Sequence, residues 1–186
     1  EAGRLERLIR DLLDLSMIEA HQVEMHFHEV DLVGLCKHTA AVLAPHGKAR
    51  GVTIEVIADE NFPLWRADED RLSQVITNLV DNAIKYSLTD GVVTIKLGYT
   101  RDKAEIEVID RGSGMPEEEL PRIFERFYRV EKGSAARFGG RGLGLSIAMH
   151  IVEAHGGEIR VESKLHEGTR FRVSLPAGDV TWLEEE

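Results

Sequence analysis

The sequence predicts an α+β fold, a two-layer α/β sandwich in which one mixed sheet carries helices on one face, preceded by a long helix. Three observations carry that expectation. Leu72, Val75, Ile76, Leu79, Val80 and Ile84 recur at the three- and four-residue spacing of a helix with one buried face. Two runs with strand alternation, 92–99 and 104–110, follow directly and are joined by the turn-like Arg101-Asp102. A further helix and two more strands close the chain, with Gly156-Gly157 stopping that helix. Such an alternation packs as one sheet beneath a helical layer.

Element by element, residues 1–20 read as a helix entered partway along. Leu5, Leu8, Leu12 and Leu15 alternate by three and four, Ile9 and Leu13 widen the stripe, and no capping residue precedes it. A seam of this kind pairs with another helix, through self-association or by docking on the adjacent domain. Asp31 reads as the N-cap of a helix running to about Arg50, and a strand pattern over 52–57 follows Gly51. Pro63 breaks the next stretch, and Asp68 opens the long amphipathic helix. Residues 116–141 hold short helical pieces and then Gly133, Ser134, Gly139 and Gly140, the composition of a mobile loop. A helix from about Gly142 to His155 leads into strands at 158–163 and 169–175 and an acidic tail.

Bulk properties bound the function. With 186 residues the chain can bury one core and carry an appendage. A hydrophobic share of 42% and a charged share of 30% fit a soluble globular protein. A net charge of −10 leaves no general basic surface for a nucleic-acid backbone. No apolar run approaches the roughly 20 residues that span a bilayer, and no secretory signal opens the chain, so membrane contact within the segment is not expected. The single cysteine, Cys36, rules out an internal disulfide and suits a reducing cytosol. It shares a helical stripe with Leu32, Leu35 and Leu43 and reads as a small buried hydrophobe.

Chemistry concentrates in three strings. NLVDNAIKYS, from Asn78 to Ser87, sets two amides on one helical face, with Lys85 and Tyr86 on the next turn within reach of phosphate or ribose. An Asn82 amide oxygen suits Mg²⁺, which prefers oxygen ligands and keeps substrate phosphates in its shell. DRGSGM, from Asp110 to Met115, places a carboxylate at a strand end, walled by Ile109 and Met115. That carboxylate can accept the exocyclic amine proton of adenine, where guanine would present a repelled carbonyl. Gly112 and Gly114 let the backbone turn tightly against the base. GGRGLGLSIA, from Gly139 to Ala148, opens a helix whose start is freed by Gly140, Gly142 and Gly144, with Leu143 packing inward. Exposed N–H groups and the helix dipole make this a phosphate cradle. It is no Walker A loop, because no Lys-Ser/Thr pair closes it. Thr169 adds a hydroxyl able to hold a water against adenine. Alone, an Asn pair reads as a polar helix surface and a D-x-G-x-G as a tight turn. In this order the strings indicate a Mg-ATP site.

These strings resemble, in turn, the N, G1 and G2 boxes of the catalytic, ATP-binding domain of sensor histidine kinases, within the Bergerat-fold ATPases. IFERFYR, Ile123 to Arg129, resembles the family's F box, and RLERLIRDLLDLSMIEA resembles the second helix of its dimerisation and phosphotransfer domain. The resemblance implies a truncated second helix over 1–28 and an ATP-binding domain over 29–186, with an ATP lid at about 116–141. It implies that Asn82 ligates Mg²⁺, that Asn78 and Lys85 contact phosphate, and that Tyr86 lies near ribose. Asp110 would hold adenine, Phe124 and Phe127 would anchor the lid, and Arg129 would stabilise the transferred phosphoryl charge. ATP and ADP as ligands, a response-regulator receiver domain as partner and a homodimer in the full-length form follow from the same resemblance. One departure stands out. None of the eight histidines sits in the family's H-box pattern, so the phosphoacceptor is expected outside this segment. The alternative is a non-phosphorylating nucleotide-binding regulatory module of the same superfamily.

Overall fold

A computed structural model of the chain describes residues 24–129 and 142–177. The amino-terminal helical seam, Gly140, the 130–141 part of the expected lid and the acidic tail lie outside the described residues. The described chain runs β1 (His28–Val30), α1 (Leu32–Ala49), β2 (Thr53–Ala58), β3 (Trp65–Ala67), α2 (Glu69–Tyr86), β4 (Val92–Tyr99) and β5 (Lys103–Asp110). A 3₁₀ turn at Glu117–Arg122, α3 (Gly144–Ala154), β6 (Glu158–Lys164) and β7 (Gly168–Pro176) complete it.

Five strands form one mixed sheet in the order β2-β4-β5-β7-β6. β2 pairs with β4 in parallel, and the remaining ladders are antiparallel. The parallel pair needs a crossover, which β3 and α2 supply. Along β5 and β7, buried and solvated residues alternate: Ala104, Ile106 and Val108 with Phe171, Val173 and Leu175 turn inward beneath the helices. The opposite face carries ion pairs, Arg172 with Glu107 at 2.8 Å and Lys103 with Glu105 at 2.7 Å. A sheet apolar on one side only accepts helices on that side. The two-layer expectation therefore holds.

Both aspartate caps act as the sequence implied. The Asp31 carboxylate accepts the Gly34 N–H at 2.9 Å and that of Asp68 accepts the Arg71 N–H at 3.0 Å. What the sequence did not reveal is a second, two-stranded sheet in which His28–Val30 pairs antiparallel with Trp65–Ala67. It fastens the leading segment to the start of α2 and buries Val30 and Trp65.

Candidate nucleotide site

The site assembles around α2. At its middle, Asn78 Nδ2 donates to the Gly144 carbonyl at 3.1 Å, so the first turn of α3 lies across the asparagine face. A Cβ on Gly144 would stand 3.5 Å from that amide, ordinary contact distance. Among the described residues no side chain caps α3, whose leading Leu143 is buried and helical in conformation. Ser146 turns its hydroxyl back onto the Leu143 carbonyl at 2.8 Å. Among the described residues no side chain therefore accepts the first backbone N–H groups of α3, and the helix dipole adds positive potential beside them. Asn82, one turn beyond Asn78, is half-buried on the same face.

At the carboxyl end of α2 the chain meets the Asp110 turn. The Tyr86 carbonyl accepts the Ser113 N–H at 3.1 Å, and a Cβ on Gly112 would fall 2.0 Å from that same carbonyl oxygen. Gly114, with φ +60°, lies so close to the β6–β7 hairpin that a Cβ would stand 1.9 Å from the Lys164 carbonyl oxygen. Gly168, with φ +100°, is as tight against the Asp110 carbonyl, at 2.1 Å. Only glycine fits at these three approaches. The hairpin is further tied by Ser163, whose hydroxyl accepts the Met115 N–H at 2.9 Å and donates to the Gly168 carbonyl at 2.8 Å. With its one proton so used, Ser163 takes the proton of Thr169 across their 2.9 Å contact. The Thr169 oxygen keeps acceptor capacity.

Asp110 is 5% exposed. Its carboxylate accepts N–H groups from Gly112, at 2.8 Å, and from Thr169, its partner across the β5–β7 ladder. Burial outweighs both and pushes the carboxyl up to about 6. Among the described residues no cation pairs with it. A buried acid answered only by backbone donors retains lone pairs for a ligand donor.

The remaining expected residues divide. The Lys85 ammonium pairs with Asp81 at 2.5 Å, and His46 of α1 reaches the same carboxylate at 3.6 Å. An i, i+4 acid–base pair on a helix is a regular contact, and the sequence reading passed over it. Phe124 packs on the core, edge-on to Phe171 at 6.4 Å. Phe127 is 60% exposed, with φ +62°. Its N–H donates to the Gly142 carbonyl at 2.9 Å, and Gly142, at φ +70°, has no room for a Cβ beside Tyr128. The described residues on either side of 130–141 thus meet. Arg122 lies 4.1 Å over the Tyr128 ring, whose hydroxyl bonds Glu119. Arg129 is exposed at the edge of the described chain.

A helix face bearing amides, a second helix start laid across it, a glycine-built turn and a buried strand-end carboxylate define a nucleotide-binding ATPase-type domain. The chain matches the family of histidine kinase-, DNA gyrase B-, and HSP90-like ATPases over residues 67–179 and belongs to it. Its relatives are sensor histidine kinases. The circadian input-output histidine kinase CikA of Synechococcus elongatus is 34% identical over 204 residues, covering 98% of this chain and 27% of that protein. Sensor histidine kinase WalK of Bacillus subtilis is 32% identical over 182 residues, covering 95% and 29%. The chain thus spans well under half of such relatives. Full-length ShkA in complex with AMPPNP superposes with a TM-score of 0.84 at 28% identity, over 94% of this chain and 36% of that one. Histidine kinase ThkA in complex with response regulator protein TrrA gives 0.73 at 26% identity, over 94% and 49%. No described helix is long and apolar enough to cross a membrane.

Proposed function

We propose that residues 29–186, joined by His28 through the β1–β3 pairing, act as the ATP-binding catalytic domain of a two-component sensor histidine kinase, and that the segment ahead of β1 carries part of the second helix of its dimerisation and phosphotransfer domain. The observation that carries this reading is the span of α2. One helix joins the uncapped start of α3, at Asn78, to the Asp110 turn, at Tyr86. Those points lie about 12 Å apart along the axis at the ordinary helical rise, the reach of a nucleotide laid from base to phosphates.

In this reading Asp110 accepts the exocyclic amine of adenine while the Thr169 oxygen holds a water at the ring. Met115, held through its backbone by Ser163 and packed on the core, walls the base, and Gly112 and Gly114 let it approach. Tyr86 lies at the ribose. The start of α3, reached through Gly140, Gly142, Leu143 and Gly144, takes the phosphates, with Asn78 and Lys85 beside it. Lys85 engages them by leaving or sharing Asp81. Asn82 offers its amide oxygen to Mg²⁺. Among the described residues no cluster of three or more His, Cys, Asp or Glu could hold a metal, so that ion would rely on phosphate oxygens and the amide. Bound Mg²⁺ neutralises the phosphate oxygens. Arg129 stabilises charge on the γ-phosphoryl group as it passes to a histidine outside this segment, and positioning supplies most of the acceleration. ShkA was solved with AMPPNP and ThkA with a response regulator protein, which supports ATP as ligand and a receiver domain as partner of the full-length protein. A homodimer in the full-length form, with this domain on the cytoplasmic side, belongs to the same reading.

Calorimetric titration tests the reading. ADP and AMPPNP should bind, AMPPNP more tightly with Mg²⁺, and GDP should bind poorly. Incubated with labelled Mg-ATP, the chain alone should acquire essentially no acid-labile phosphate. A supplied fragment bearing an H-box helix should acquire it slowly. Equal binding of ADP and GDP would contradict the base assignment. Stoichiometric self-labelling at His21, His26 or His28 would place the acceptor within the chain. Tight ATP binding with no transfer to any acceptor would favour the regulatory alternative.

A further inference from the structure

His155 ends α3, and the sequence reads it as a helix-end residue. It is instead 9% exposed and joins three elements. Its Nε2 lies 3.0 Å from the backbone N of Asp68, the residue that caps α2. Its Nδ1 lies 2.8 Å from the Ile151 carbonyl. A backbone N–H can only donate, so Nε2 carries no proton, while Nδ1, facing a carbonyl, must carry one. The geometry fixes a neutral ring in one tautomer. Burial favours that state and holds the imidazole below its ordinary range. Asp68, itself 4% exposed, accepts the His26 N–H at 2.8 Å from the leading segment, and Phe27 sets its ring edge-on to His155 at 5.3 Å.

The placement gives this cluster meaning. Asp68 begins α2 and His155 ends α3, so the pair clamps one end of an antiparallel helix pair. The other end is the Asn78–Gly144 contact, where the phosphates would lie. α3 is short, and tilting its far end swings the first-turn N–H groups off the asparagine face. We infer that His155 is a positioning residue for the nucleotide site: by accepting the Asp68 N–H it fixes α3 against α2 and so aims the first turn of α3 at the phosphates. This deepens the nucleotide-binding reading and rests on it.

Protonation of His155 would set two N–H groups against each other and release the clamp. The charges around it are named readily. The Asp68 carboxylate on α2 favours protonation, and Arg71 on the first turn of α2 tempers that carboxylate. The leading strand contributes His28, at 3.4 Å from Glu69. If a neutral ring favours the binding-competent arrangement, nucleotide must in turn favour the neutral ring, because coupling between two sites is reciprocal.

The test follows His155 in the whole chain by imidazole NMR titration with and without ADP, beside ADP calorimetry on the parent, His155→Gln and His155→Leu. Gln can still accept the Asp68 N–H; Leu cannot. The expected result is a lower His155 pKa with ADP bound, a dissociation constant within about twofold of the parent for His155→Gln, and one raised about fivefold or more for His155→Leu. A fold that merely tolerates His155 would leave the ring's titration unmoved by ADP. That outcome, with ADP binding normally to the parent and equally to both variants, overturns the inference alone. Failure of the parent itself to bind ADP overturns the nucleotide reading and this inference with it. Should His155→Leu fail to fold, the titration of the parent still decides.

Discussion

The base end and the phosphate end of the candidate site are built on opposite principles. Around Asp110 the backbone is crowded: three glycines touch the carbonyls of Tyr86, Lys164 and Asp110 at distances no Cβ tolerates, and Ser163 ties the hairpin beneath them. Around Asn78 the described contact is looser: Asn78 bonds the Gly144 carbonyl, Gly144 has ordinary room, and no described side chain caps the first N–H groups of α3. One end is shaped in advance and the other is left for a ligand to finish. A shaped pocket selects a base at little ordering cost, while open donors suit a phosphate chain that changes during reaction.

The largest test of that contrast is Gly114→Ala. With φ +60° and a Lys164 carbonyl 1.9 Å from the added carbon, the turn or the hairpin must move. A loss of about 3 kcal/mol or more is expected from urea denaturation, with nucleotide binding abolished. A loss below about 1 kcal/mol would mean the base end is not crowded as described.

Asp110→Asn separates binding from stability. Nucleotide affinity should fall by roughly 1.5–3 kcal/mol through loss of a charge-assisted hydrogen bond. The nucleotide-free protein should become more stable at neutral pH, because a buried carboxylate no longer has to ionise. The sign follows from the direction of the shift. An acid raised from 3.8 to about 6 contributes stability that is present in full below 3.8 and lost as pH rises through about 6. Thermal midpoints of the parent should therefore carry a component that declines over that window while ADP affinity climbs. In Asp110→Asn both trends should flatten, and an unchanged pair of profiles would remove Asp110 from the site.

Asn82→Ala sharpens the phosphate end. The residue is polar and half-buried rather than part of the hydrophobic core, so the fold should survive. Mg²⁺-dependent tightening of AMPPNP should shrink about tenfold, the value of one good hydrogen-bonding ligand. Persistence of the full magnesium effect would show the ligand to be elsewhere. Gly144→Ala should do least. The nearest atom to its added carbon is 3.5 Å away, and the change in thermal stability should stay within about 1 kcal/mol. A loss comparable to that of Gly114→Ala would erase the difference between the two ends.

Most elements were legible because their signals are local. Asp31 and Asp68 announce helices through caps three residues long, and α2 and β5 repeat their apolar residues at helical and strand periods. β1 and β3 escaped because three residues hold no periodicity, and their pairing joins His28–Val30 to a segment far along the chain. Gly112 and Gly114 are legible as turn glycines, but Gly112 answers to the Tyr86 carbonyl at the end of α2 and Gly114 to the Lys164 carbonyl of a hairpin far later in sequence. Ser163 gave no signal at all. Its role arises wholly from β6 lying beside Met115. Lys85 was read toward phosphate alone, though Asp81 stands at the spacing where an opposite charge is met first. The burial of His155 is not legible, because helix ends usually are solvated and nothing nearby in sequence reveals that α2 begins against it.

The outer strand β6 has a consequence for the company this domain keeps. A bare sheet edge invites a neighbouring chain to add a strand. Along β6, Glu158, Arg160, Glu162 and Lys164 alternate with Ile159, Val161 and Ser163, so every second position carries a charge. Arg160 pairs with Glu158 at 2.8 Å on its own strand, and Glu162 reaches Arg170 and Arg172 on β7. A strand docking there would have to strip water from these charges in register, a requirement that random partners do not meet. A charged fringe of this kind disfavours edge-to-edge pairing between two copies of the domain.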